Sequence, residues 1–218
     1  MSTMHEIHFD PIVLRFRSAF RLGAGRARPG LKALVQRLAD GRPVVPAAAL
    51  KGALRELAER LCPAVTGAPA CRSPFDLCAQ QPCPVCRLFG NPRWPGPLYF
   101  ADFLPRQATT PATIAALRHL SATRAHVGLD RRLGTAVPGL LVQTETLPAG
   151  LEFVGAIDGQ ARADDVPLLQ AALLSLNRLG AETTRGLGVC RVIAVEGRIG
   201  TEPWRWQASE QGQEGGVA

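Results

Sequence analysis

Four cysteines, at positions 71, 78, 83 and 86, sit in a stretch too poor in apolar residues to fix its own shape by burial. Whatever orders that stretch must come from the thiols. Four of them within sixteen residues can close a tetrahedral zinc shell, and Cys83-Pro-Val-Cys86 has the two-residue gap of a tight knuckle. Metal binding then supplies the ordering energy. With Cys71, Cys78, Cys83 and Cys86 filling the shell, no coordination position stays open for a substrate, so the zinc is structural. The Cys71 to Cys78 gap is less regular, and Cys62 could replace either of its members. Cys190 lies apart in a predicted strand and reads as a small buried hydrophobe.

Disulfides are the competing use of clustered cysteines, and the compartment decides between them. No apolar run reaches the roughly eighteen residues that a membrane span needs. Met1 to Phe9 lacks the basic-then-apolar order of a signal peptide. Both observations point to a cytoplasmic protein, in which such thiols bind metal. A chain of 218 residues, 46% hydrophobic, can bury a real core and is not a disordered polymer.

Residues His5 to Arg17 alternate apolar and polar, as a strand with one buried face does. Arg21 to Arg42 is a loop containing Gly23, Gly25, Arg26, Arg28 and Gly30, with Asp40-Gly41 as a turn signal. Leu50, Leu54, Leu57 and Leu61 then recur at helical spacing from a start near Pro46, and Pro63 is expected to help end that helix. Beyond the cysteine insertion the pattern predicts a strand near Leu98 to Phe103 and a helix from Pro111 to Leu120. Residues 121–157 read as extended, with Leu140 to Thr146 as a return strand. A second helix is predicted over Val166 to Leu179, stopped by Gly180. A last strand follows over Gly188 to Val195, then a disordered polar tail, residues 208–218.

This order makes two βαβ-like halves and predicts an α+β, RRM-like (ferredoxin-like) fold. One such domain occupies residues 1–207, with a zinc-binding insertion at about 62–95 and a hairpin insertion at about 105–145.

The net charge of +7 asks for a polyanionic partner. Lys32 and Lys51 are the only lysines, and the remaining cations are arginines, whose planar forks suit phosphates. A GC-rich genome accounts for much of that bias. Two segments could seat phosphate. Lys51 and Arg55 share one face just inside a helix N-terminus. Thr183 to Gly188 is a glycine-rich loop through which backbone amides can approach an anion. That loop also serves as an ordinary tight turn, and it matches neither a P-loop nor a dinucleotide fingerprint. No Ser/His/Asp pattern is visible.

In order along the chain stand Pro46 to Arg55, Cys83-Pro-Val-Cys86 through Gly90, Arg124 to Arg131 with Gly134-Thr-Ala136, Glu145 to Gly150 before Phe153, and Arg185-Gly-Leu-Gly188. This series resembles the RAMP superfamily, and within it the repeating backbone subunits of type III CRISPR effectors. The resemblance runs from residue 5 to about 195. It implies a subunit that stacks with copies of itself and other subunits along the CRISPR RNA, and a β-hairpin thumb between Ala108 and Val142 that kinks the guide–target duplex. It also implies RNA contacts by Arg21, Arg26, Lys51, Arg55, Arg124, His126, Arg131, Arg132, Arg185, Gly186 and Gly188. The guide is held by its phosphates and target sequence is read by base pairing.

The chain departs from that pattern in two places. Ala47-Ala48-Ala49 stands where hydroxyl residues are usual, which removes side-chain caps and phosphate ligands. The aspartate that cuts target RNA in many such subunits falls near Leu31, which cannot act as a base. Asp40 is then the only carboxylate in the loop and the only candidate for an endonuclease of this type. A histidine-based RNA cleavage or guide-processing activity would draw on His5, His8, His119 or His126. A stand-alone zinc-binding interaction module, with no RNA affinity, is the remaining alternative.

Overall fold

In the computed structural model, residues 3–209 are described apart from 28, 30, 32, 72–77, 79 and 109. Part of the Arg-rich loop, most of the Cys71 to Cys78 gap and nearly all of the predicted tail therefore lie outside the described residues.

The fold is mixed α+β with antiparallel sheets. β1 (Met4–Phe16) runs through the middle of the main sheet, paired with β6 (Glu152–Arg162) and β7 (Cys190–Ile199). β2 (Leu98–Phe100) and β3 (Leu104–Pro105) both pair with β6, and β8 (Glu202–Gln207) pairs with β7. The strand order is β2-β6-β1-β7-β8. β1 sends Ile7, Phe9, Ile12, Leu14 and Phe16 into the core, and a register shift between Phe9 and Ile12 keeps the apolar face inward on both sides of it.

Helices α1 (Ala47–Thr66) and α4 (Val166–Leu174) pack together against that face. The buried stripe of α1 is Leu50, Leu54, Ala58 and Cys62, four residues apart, with Leu57 and Leu61 flanking it. Each fully buried leucine stabilises the fold by about 1.5–3 kcal/mol.

The helix does not stop at Pro63. It continues to Thr66, whose hydroxyl donates to the Cys62 carbonyl at 2.8 Å. Gly67, left-handed at φ 68°, closes the last turn onto the Pro63 carbonyl at 3.1 Å. α4 is shorter than its apolar pattern. Leu176 and Leu179 are buried, but from a turn in which the Asn177 carbonyl accepts from the Cys190 N–H at 3.0 Å. Gly180 therefore serves close backbone approach and does not stop a helix: a Cβ there would lie 2.5 Å from the Arg21 carbonyl oxygen.

Two elements leave this core. α2 (Pro84–Phe89) is a six-residue helix carrying two of the cysteines' neighbours, Val85 and Leu88, into the core. α3 (Pro111–His119) opens with a Thr110–Thr113 capping box and leads into a hairpin of β4 (Ala122–Leu129) and β5 (Ala136–Thr146). That hairpin forms a separate two-stranded sheet. Among the described residues no helix is long and apolar enough to cross a membrane.

Candidate metal centre and nucleic-acid interface

The sulfur atoms of Cys71, Cys78, Cys83 and Cys86 all lie within 4.8 Å of one another. Cys71 Sγ is 3.8 Å from Cys83 Sγ and 3.3 Å from Cys86 Sγ. Four sulfurs bound tetrahedrally at about 2.3 Å stand about 3.8 Å apart, so the set fits a metal ion closely. Cys62 stays outside the group. It is buried in α1, with its sulfur bonded to the Thr66 hydroxyl and the Ala68 carbonyl.

The surroundings act on the four sulfurs unequally. Asn91 Nδ2 donates to Cys86 Sγ at 3.2 Å, and the Cys83 N–H donates to Cys78 Sγ at 3.4 Å. Such donors fix ligand orientation and offset charge on sulfur. Burial pushes the Cys71 and Cys86 thiols above their ordinary range. Burial acts on Cys83 too, but backbone N–H groups of Cys71 and Cys86 outweigh it and bring that thiol down to about 7.

Arg55 belongs to this centre. Its Nη1 donates to the Gly90 carbonyl at 2.5 Å, its Nε to Glu59 at 2.9 Å, and its Nη2 reaches Cys86 Sγ at 3.9 Å. The guanidinium expected to meet a phosphate is instead a strut between α1 and the knuckle. Arg87 holds the other end, gripping buried Asp165 at the start of α4 through Nε at 2.7 Å and Nη2 at 2.5 Å. Lys51 also turns toward this side, with Nζ 5.7 Å from the centre of the Phe100 ring. The N-terminus of α1, without hydroxyls, takes its cap from a distant carboxylate: Asp102 Oδ1 accepts from the Ala47 N–H at 2.7 Å.

The glycine-rich loop, the hairpin and the chain after β1 converge on one residue that sequence reasoning missed. Glu182 sits in the left-handed region at φ 59°, the one non-glycine residue there among those described. Arg21 Nη2 donates to Glu182 Oε1 at 2.9 Å, and His126 Nε2 of β4 lies 3.3 Å from Oε2. An acidic residue immediately before the Thr183–Gly188 loop of a basic chain was the available signal. Gly188 is committed to structure: its N–H donates to the Ala19 carbonyl at 2.8 Å, and a Cβ there would stand 2.2 Å from the Leu179 oxygen. Arg185 and Gly186 are exposed, as are Arg26, Arg124, Arg131 and Arg132. The structure thus brings Arg21 and His126 together at Glu182, while Lys51 and Arg55 are engaged at Phe100 and the knuckle.

The hairpin root is clasped by Arg37, a second residue not foreseen. It donates to the Leu117, Arg118 and Leu120 carbonyls at the end of α3 and to Glu145 Oε1 at 2.8 Å. Asp40 is occupied as a turn residue. Oδ1 accepts from the Arg42 N–H at 3.0 Å and Oδ2 from Arg42 Nε at 2.7 Å. The backbone bond leads in lowering its pKa. Of the histidines, His8 has a carboxylate partner, with Nδ1 2.5 Å from Asp158 Oδ1 on exposed strand positions.

The core is mixed α+β, with a four-cysteine cluster that could hold a metal on one flank and an arginine-edged hairpin on another. The RAMP superfamily model matches residues 13–191, and the chain belongs to that superfamily. Membership carries a CRISPR-associated, RNA-binding role. No curated protein matches the chain.

Proposed function

We propose that this protein is a CRISPR RNA-binding backbone subunit of a type III interference complex. It stacks along the guide with other subunits and copies of itself and presents the guide to target RNA. The observation that carries this reading is the junction at Glu182, where Arg21, the glycine-rich loop and the base of an arginine-edged hairpin meet. The β4–β5 hairpin acts as the thumb. Its Val127, Leu129, Leu133, Leu140 and Leu141 are exposed, which suits an element whose partner is another molecule.

In this reading the strand order, with β1 and β6 adjacent and β2 and β7 outside them, is RRM-like, and residues 1–207 form one domain. The four-cysteine centre holds a structural zinc that orders the insertion. The protein works in the cytoplasm. Its RNA contacts come from Arg21, Arg26, Arg124, His126, Arg131, Arg132, Arg185 and Gly186, while Lys51, Arg55 and Gly188 support the scaffold. Asp40 has no part in cutting, since both its oxygens are held by Arg42.

The test is the RNA that co-purifies with the protein from cells carrying a CRISPR array. Nuclease-protected fragments that lengthen in regular steps are expected. RNA-free protein in cells that also supply the partner subunits would overturn the assignment and favour a zinc-binding interaction module.

A further inference from the structure

The face of the main sheet opposite the helices carries a feature that costs stability as it stands. Arg15 of β1 and Arg191 of β7 are direct cross-strand partners. Like charges so placed repel, because opposed side chains in an antiparallel pair are close neighbours. Arg106, just past β3, comes to the same place. Glu152 of β6, opposite Arg15 on its other side, is the buried carboxylate answering them. It accepts from Arg15 Nε at 2.7 Å and from Arg106 Nη1 at 3.0 Å.

Arg191 is left over. Its Nε is buried and has no hydrogen-bond partner among the described residues. A cavity of about 300 Å³ opens over these groups, lined by Arg15, Arg106 and Arg191 with Val13, Glu196 and Gln207. That is the size of a small ligand site. Glu196 stands at an exposed position and has Arg205 of β8 as its cross-strand partner. Arg15 and Arg106 thus share one buried carboxylate, Arg191 is left without one, and all three border a space that an oxyanion fits.

We infer that this cavity seats a backbone phosphate of single-stranded RNA. The inference rests on the RNA-binding reading above and extends the RNA path beyond the glycine-rich loop. Arg191 follows Gly188 by three residues, about 10 Å of extended chain, which places the cavity near the end of that loop along the chain. Arginine forks match phosphate oxygens in pairs, and a phosphate would relieve the Arg15–Arg191 repulsion while giving Arg191 Nε its acceptor.

Two measurements on the full chain test this. The first follows arginine Nε–H signals by NMR during titration with inorganic phosphate and then with hexauridylate. Saturable shifts at Arg191 and Arg15 with both ligands are expected, and they should persist in Arg185→Ala. The second compares wild type with Arg191→Gln. Removing a repelled charge should leave the melting temperature equal or higher, whereas a purely structural arginine would lower it. Affinity for hexauridylate should fall about tenfold, and the slope of log K against log salt should flatten by about 0.7.

Silence of Arg191 toward both ligands overturns the site. A response to phosphate alone, with unchanged RNA binding in Arg191→Gln, overturns the RNA assignment and leaves a free-phosphate site. Wild type that binds no hexauridylate at all overturns this inference together with the broader reading. Loss of affinity in Arg185→Ala but not in Arg191→Gln sinks this inference alone.

Discussion

The cysteine knuckle and the hairpin both leave the same core, yet they are held by opposite means. Around the knuckle, Val85, Cys86 and Leu88 are fully buried, and Arg55 and Arg87 tie it to α1 and to the start of α4. The hairpin buries little between its root and its tip. Its aliphatic side chains face outward, and its firm attachments are at the base, through Arg37, Glu145 and the Glu182 junction. A protrusion finished inside its own chain can be rigid before any partner arrives. One that leaves apolar and cationic groups exposed gains its contacts on binding. The first supports the fold, and the second is the element proposed above to meet RNA.

The widest separation between the two regions should come from Cys86→Ser. Metal content is expected to fall from about one zinc per chain to near none, measured on reduced protein. Unfolding should move down by roughly 10 °C or more, since a loss of about 3–4 kcal/mol shifts a chain of this size by that amount. A metal-free but equally stable Cys86→Ser protein would mean that packing alone holds the knuckle, and the contrast with the hairpin would shrink to one of burial.

Replacing Arg124, Arg131 and Arg132 together by alanine tests the other side. These residues are exposed, Arg124 near the hairpin root and Arg131 and Arg132 at its tip, so unfolding should stay within about 2 °C of wild type. RNA affinity at moderate salt should drop at least tenfold, with the salt slope flattening by up to about 2 as phosphate contacts are lost. A triple variant that binds RNA normally would remove the hairpin from the RNA path and leave the glycine-rich loop and the sheet face as its course.

What could be read from the sequence divides along similar lines. β1, the start of α1 and the four ligand cysteines follow from local alternation, helical spacing and thiol spacing, and each stands where its pattern puts it. The hairpin strands were legible as extended segments because they must be regular to project. The partners were not. Asp102 caps Ala47 across 55 residues and Glu182 meets Arg21 across 161, and no local rule links such positions. The same holds for Arg55, which a helical wheel places beside Lys51 while tertiary contact with Gly90 decides its role. Pro63 misled because one missing N–H does not end a helix whose last turn Gly67 still closes onto the Pro63 carbonyl. β8 escaped notice although Trp204 and Trp206, which pack on the core, alternate with Arg205 and Gln207, because the run is short and opens on Glu202-Pro203.

The smallest effect is expected at Asp40, beside the clasped root of the hairpin. Its carboxylate is exposed, and the Arg42 N–H, followed by the Arg42 side chain, holds its pKa below the ordinary 3.8. A carboxylate whose pKa is lowered by folding contributes stability above its unfolded value and loses it as pH falls through the folded one. Asp40→Ala should therefore differ slightly from wild type at neutral pH and converge with it as pH falls through the lowered folded pKa, a gap that solvent screening keeps small. If assembled complexes cut target RNA, the same variant should cut at an unchanged rate, because a carboxylate holding two donors of its own turn is poorly placed to take a proton from a 2′-hydroxyl. A rate that collapses in Asp40→Ala while RNA affinity holds would show that the turn opens on binding. The root of the hairpin would then have to be counted as part of the moving, partner-completed region and not of the scaffold.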